Sequence, residues 1–205
     1  MAHIPDGVLA LPVLISGAAA TFTIAAVGVR KLQNDRIPQA AVLAAAFFVS
    51  SLVNVPVGPS SVHLILNGLM GLILGWTAVP AILVALLMQS VFFGHGGLIT
   101  LGVNTFNIAV PALLCAFVFR PLLAKVEGKQ VLMLGMLSGF VGASLTGVLV
   151  GASLVLSGAE YLTSGKVILM TYIPLVLAEA AITGVTLVFL KRVSPEVLFV
   201  RASKS

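Results

Sequence analysis

The sequence predicts an all-α, polytopic membrane protein of about seven transmembrane helices, and three observations carry that expectation. Of its 205 residues, 60% are hydrophobic and 8% charged, against about 25% charged in a soluble domain. Mean hydropathy is +1.18. The apolar residues fall into runs of helical length, and the basic residues collect between alternate runs.

The runs cover residues 8–29, 38–57, 62–76, 78–93, 105–124, 131–156 and 167–190, read as one transmembrane domain over 1–205. The first has 22 residues. As a helix it rises about 33 Å, enough for a hydrocarbon core of roughly 30 Å. The third and fourth, with 15 and 16 residues, are too short. Short spans interrupted by glycine or proline point to binding sites in transporters. The start does not read as a signal peptide, because it lacks a basic leader and Asp6 precedes the apolar run.

Basic residues set the expected orientation. With the amino terminus outside, the inner loops hold Arg30, Lys31 and Arg36, then Arg120, Lys125 and Lys129, then Lys191, Arg192, Arg201 and Lys204. Only Lys166 of the 11 falls outside, so the termini are expected N-out and C-in. The net charge of +5 then reflects inner loops rather than nucleic-acid binding. Cys115 is the single cysteine, so no intrachain disulfide forms.

In this orientation all three histidines share the outer face. His3 lies almost at the free amino terminus. An amine, the next peptide nitrogen and the imidazole can close around one metal as fused chelate rings, and nitrogen ligands in a plane suit Ni(II) or Cu(II). The plainer reading is a polar residue on a short tail. Pro5, Asp6 and Gly7 favour a turn. Asp6 is either a simple turn residue or an acceptor for a ligand histidine. His63 is expected to open the third helix after the turn 54–59, with Asn67 one helical turn on. An ionisable residue there reads as functional, or as a structural histidine bonded to a backbone carbonyl. His95 lies among glycines in Gly94-His95-Gly96-Gly97, a loop able to fold inward as a lid. It reads as a supporting or loop-fixing residue, with direct ligation as the alternative.

Glu179 sits near the middle of the last run. It must be protonated or hydrogen-bonded within the bundle, as a proton carrier or as a structural tie. The sixth run carries Gly135, Gly139, Ala143, Gly147 and Gly151, and a shorter stripe is Asn67, Gly71 and Gly75. Small residues at this spacing let helix backbones meet, either internally or on a partner. No P-loop is present, and no constellation suggests hydrolysis, so an enzyme is not expected.

Three segments together resemble one family. His3-Ile4-Pro5-Asp6-Gly7, Ser61-Val62-His63-Leu64-Ile65-Leu66-Asn67-Gly68, and Phe93-Gly94-His95-Gly96-Gly97-Leu98 with Gly102-Val103-Asn104 are similar to the CbiM/NikM family. Its members are the substrate-binding (S) components of energy-coupling factor transporters for cobalt and nickel. The resemblance implies a seven-helix protein of the cell membrane that captures Ni(II) or Co(II) from outside as cargo, with no resident cofactor. It also implies a transmembrane coupling (T) subunit, cytoplasmic ATPases and a small accessory membrane subunit. Carried over residue by residue, the metal donors are the terminal amine, the backbone and side-chain nitrogens of His3, and His63. His95, Asn67 and Asp6 form the supporting shell.

One departure matters. The family begins Met-His, whereas this chain reads Met1-Ala2-His3. If Met1 is removed, the Ala2 amine completes the family pattern. If Met1 stays, an additional amide enters the chelate, and the terminus fills the plane without His63. A self-sufficient transporter using Glu179 as proton carrier is the rival reading, and an S component for an organic vitamin is a weaker third.

Overall fold

The computed structural model describes residues 3–52, 54–57 and 60–198. Seven α-helices lie among them: α1 (Leu11–Arg30), α2 (Ile37–Ser50), α3 (Asn67–Leu74), α4 (Ala78–Phe93), α5 (Leu101–Leu123), α6 (Lys129–Ser157) and α7 (Leu162–Val193). A two-stranded antiparallel hairpin, β1 (Asn54–Val57) and β2 (Ser60–His63), stands between α2 and α3.

The hairpin corrects two expectations. The second apolar run stops being helical at Ser50, and the third becomes helical only at Asn67. The intervening sequence is rich in valine and proline. β-Branched residues favour extended backbone, and proline donates no helical hydrogen bond. His63 therefore ends a strand and does not open a helix, so it shares no helix face with Asn67.

Among the described residues, five helical stretches are long and apolar enough to cross a membrane: Leu11–Arg30, Asn67–Phe93, Leu101–Leu123, Lys129–Ser157 and Ala159–Val193. The second is not a single rod. A straight helix of 27 residues would separate its ends by about 40 Å. Yet the rings of His63, just before it, and His95, just after it, have centroids 6.2 Å apart. The chain reverses at Gly75, whose φ of +59° and ψ of −126° are accessible to glycine. So α3 descends and α4 returns. With 14, 8 and 16 residues, α2, α3 and α4 rise only about 21, 12 and 24 Å, less than a full hydrocarbon core. Seven complete spans are thus not what the seven helices provide.

All eight residues of α3 are buried, making this half-helix the centre of the bundle. Its glycines let neighbours approach. A Cβ on Gly68 would lie 2.6 Å from the Ser138 carbonyl oxygen of α6, and one on Gly71 would overlap the Ala112 carbonyl of α5. The α6 stripe faces α7: Gly135 meets Gly184 and Leu187, Gly139 meets the Glu179 backbone, and Gly147 meets the Tyr172 ring. The small residues serve internal packing. Large apolar side chains such as Phe22, Val29, Val42 and Met170 are exposed, as a lipid-facing surface requires.

The two ends of the bundle differ in chemistry. The histidines gather at one end. Arg30, Lys31, Arg36, Arg120, Lys125, Lys129, Lys191 and Arg192 mark the helix ends at the other. There Lys31 sits 5.0 Å over the Trp76 ring, and Lys191 Nζ donates to the Leu123 carbonyl at 3.0 Å. Arg201 and Lys204 lie outside the described residues.

Candidate metal centre

His3 arrives on an extended tail clamped to the loop before α5. Ile4 N–H donates to Asn104 Oδ1 at 2.9 Å, and Asn104 Nδ2 donates back to the Ile4 carbonyl at 2.9 Å. Thr100 Oγ1 lies 2.8 Å from the same carbonyl. Asp6 Oδ1 accepts from Ile99 N at 3.1 Å and Thr100 N at 3.0 Å. These amides lie just before the first residue of α5, so Asp6 ties the tail to the segment that leads into that helix. The hydrogen bonds of Asp6 run to Ile99 and Thr100, before α5, and not to a histidine.

The glycines of the His95 loop make this closure possible. Gly96 has φ +75°, and a Cβ there would come 3.1 Å from His3 Cβ; one on Gly97 would overlap the Asp6 carboxylate. The loop lies over the tail as a lid, as its sequence suggests.

The three imidazoles meet. His3 and His63 have ring centroids 4.9 Å apart, and His63 stacks on His95 at 6.2 Å with 7° between planes. His3 and His63 are 3% and 2% exposed, so His3 is not the solvated polar residue of its plainer reading, whereas His63 does make the backbone-carbonyl bond of its own. His63 Nδ1 lies 3.1 Å from the Leu64 carbonyl. That acceptor fixes the proton on Nδ1 and leaves Nε2 as a free lone pair, the orientation seen in metal-ligating histidines. Both ring nitrogens of His3, Nε2 of His63 and Nδ1 of His95 are buried without a hydrogen-bond partner. Buried polar atoms are rarely left so, and their gathering on three neighbouring rings marks a candidate site for a metal ion.

Burial, then the neighbouring imidazoles, holds the His3 pKa well below the ordinary 6.5, and burial also lowers that of His63. Both rings are neutral at pH 7, as ligation requires. Among the described residues, no group of three or more His, Cys, Asp or Glu side chains is arranged to hold a metal alone. The expected donors Met1 and Ala2 lie outside the described residues.

Asn67 has another task. Its Nδ2 reaches Thr146 Oγ1 at 2.8 Å, Gly142 O at 3.2 Å and Ile108 O at 3.3 Å, while Oδ1 accepts from Gly68 N at 2.9 Å. It ties α3 to α5 and α6 and hydrogen-bonds to no histidine, contrary to its expected place in the supporting shell.

Two residues near the site carry roles that the sequence left open. Glu179, fully buried in α7, accepts from Ile65 N and from Leu66 N, the latter at 2.9 Å. Leu66 has φ +52°, the one non-glycine residue among those described with positive φ. The carboxylate thus anchors a strained junction two residues beyond His63, at the N-terminus of α3 where unpaired amides favour an anion. Gln89 of α4 is fully buried and stands beside His3, with Nε2 donating to the Phe47 carbonyl at 3.3 Å. Its signal was an amide alone in the apolar run 78–93.

Comparison with known proteins follows the same lines. A metal transport protein of Haemophilus influenzae is 40% identical over 198 residues, covering 96% of each chain. The cobalt transport protein CbiM of Sorangium cellulosum is 29% identical, covering 96% of this chain and 94% of that one. The fused nickel transport protein NikMN of Rhodobacter capsulatus is 42% identical over 114 residues, which are 53% of this chain and 33% of that longer protein. A crystal structure of a transition metal transporter superposes with a TM-score of 0.79 at 24% identity, covering 93% of both chains, and shares the fold. Residues 3–197 match the CbiM profile, described as the cobalt uptake substrate-specific transmembrane region, and the chain belongs to this family of membrane transport proteins.

Proposed function

We propose that the chain is the substrate-specificity subunit of an ATP-driven importer of the energy-coupling factor type, capturing Ni(II) or Co(II) from outside the cell membrane. The metal is cargo, held by nitrogen donors in a plane: the terminal amine of Ala2 or Met1, the backbone and imidazole nitrogens of His3, and His63 Nε2. Asn104, Asp6 and the Gly96-Gly97 loop hold the tail in place, and His95 stacks behind His63. A coupling subunit, ATPases and a small accessory membrane subunit supply the energy and movement that a chain without a P-loop lacks.

The observation that carries this reading is the pair of buried imidazoles with unpartnered nitrogens, one on the tail and one on the hairpin. Nitrogen ligands suit these metals, and selectivity between them rests on geometry and supply. The reading with Glu179 as proton carrier loses support, because that carboxylate is already engaged by two backbone amides. Calorimetry on purified protein tests the site. His63→Ala should weaken nickel binding by at least tenfold with the fold retained in detergent, and unchanged affinity would remove His63 from it.

A further inference from the structure

A cavity of about 210 Å³ lies at the end of the bundle opposite the histidines. It is built where α1 ends, α2 begins, α3 turns into α4 and α5 ends. Its charged lining is Lys31, Arg36 and Arg120, with Gln33, Gln39 and Thr77 as further polar groups. Among the described residues, no carboxylate lines it. Asp35, next to Arg36 in sequence, is exposed and outside the lining.

The arrangement concentrates like charge in one cavity. Arg36 and Arg120 line the same cavity, and both are half-buried, where like charges are screened less than in open water. The cations are nevertheless held in place. Arg36 Nη1 donates to Gln39 Oε1 at 2.6 Å. Lys31 sits over Trp76. Arg120 Nη1 would lie 2.8 Å from a Cβ on Gly75, so the positive-φ glycine leaves room for it. Two guanidiniums offer planar forks matched to the oxygens of a phosphate, and the ammonium adds a point charge. Beside the cavity, Val29, Ile37 and Val42 are exposed apolar side chains on α1 and α2, and Trp76 is of the kind that sits at a membrane interface. Basic pockets between transmembrane helices take lipid headgroups on this physical basis.

We propose that this cavity binds a phosphate group between Arg36, Arg120 and Lys31, carried by an anionic phospholipid whose acyl chains run along α1 and α2 or by free phosphate. The full chain in non-ionic detergent is titrated, under native mass spectrometry, with phosphatidylglycerol, with phosphatidylcholine of the same acyl chains, and with inorganic phosphate. One phosphatidylglycerol should bind at least tenfold more tightly than phosphatidylcholine. The double variant Arg36→Gln/Arg120→Gln should lose that preference, while Lys129→Gln, a basic residue of the same end outside the cavity, keeps it. Saturable binding of inorganic phosphate, lost in the same double variant and without lipid preference, supports the site and assigns it to free phosphate. Equal binding of both lipids with no phosphate binding, or a preference that survives the double variant, overturns the proposal. Nickel affinity checks that the variant is folded. Should it not fold, the lipid and phosphate titrations of the unaltered chain decide alone.

Discussion

Glu179→Ala is the substitution with the clearest expected consequence. The wild-type carboxylate accepts from Ile65 N and Leu66 N, and its removal leaves one buried and one partly buried backbone donor without a partner. Each orphaned donor costs about 1–3 kcal/mol, so the change should destabilise the folded chain by about 2–6 kcal/mol. Part of that loss falls on the metal site. The freed junction lies two residues from His63, and Leu66 holds its positive φ only while its surroundings enforce it. A loss of about 1.4–3 kcal/mol in nickel binding corresponds to about 10- to 150-fold in affinity. Glu179→Gln keeps an acceptor oxygen but loses the charge, and should cost less than half as much. Calorimetric nickel titration and thermal unfolding in detergent measure both. A folded Glu179→Ala protein with wild-type affinity and stability would refute the anchoring role. A Glu179→Gln protein that binds nickel normally but loses only a proton-dependent transport step would favour the proton carrier instead.

Three further outcomes follow from the same geometry. Gly97→Ala should lift the tail from its loop, because a Cβ there overlaps the Asp6 carboxylate; nickel titration should show weaker binding in a protein that still elutes as a folded monodisperse species. Ala143→Leu should disrupt folding or assembly by overpacking a fully buried position between helices, at about 1–3 kcal/mol or more, and normal elution and transport by that variant would place the stripe elsewhere. The metal-free protein should lose stability as pH falls below 6.5. His3 and His63 have pKa values below that value when folded, largely through burial, so below it the unfolded chain binds more protons. Above it neither state is protonated and the contribution is flat. Thermal unfolding against pH, with His3→Phe as the variant that should flatten the curve, measures this.

The membrane class, the helical content and the placing of three histidines on one face were legible in the sequence, because apolar runs, basic loops and rare ionisable residues are local signals; that their rings meet shows only in three dimensions. The hairpin before α3 was not. Its valines read as apolar helix until the prolines are weighed with them, although the connection between its strands falls in the segment 54–59 already read as a turn. For the same reason Asn67 was placed by helical spacing beside His63, whereas its amide ties α3 to α5 and α6. Asp6 and Asn104 sat in motifs visible in the sequence. Their mutual task of clamping the tail to α5 spans about 100 residues of chain and shows only in three dimensions. Glu179 was marked by its cost, and its partners, two backbone amides, carry no side-chain signature.

The central claim is that the amino terminus itself is part of the metal site. Nickel titration of the protein with a free and with an acetylated terminus, following the absorption band of planar Ni(II), tests it most directly. Acetylation removes the amine as a donor, so the account predicts that high-affinity planar binding is lost whether the chain begins at Met1 or Ala2. Among free-terminus forms, His63→Ala should cost more in the one that begins at Ala2, where one place in the plane remains for it. Tight planar binding by the acetylated protein would contradict the account.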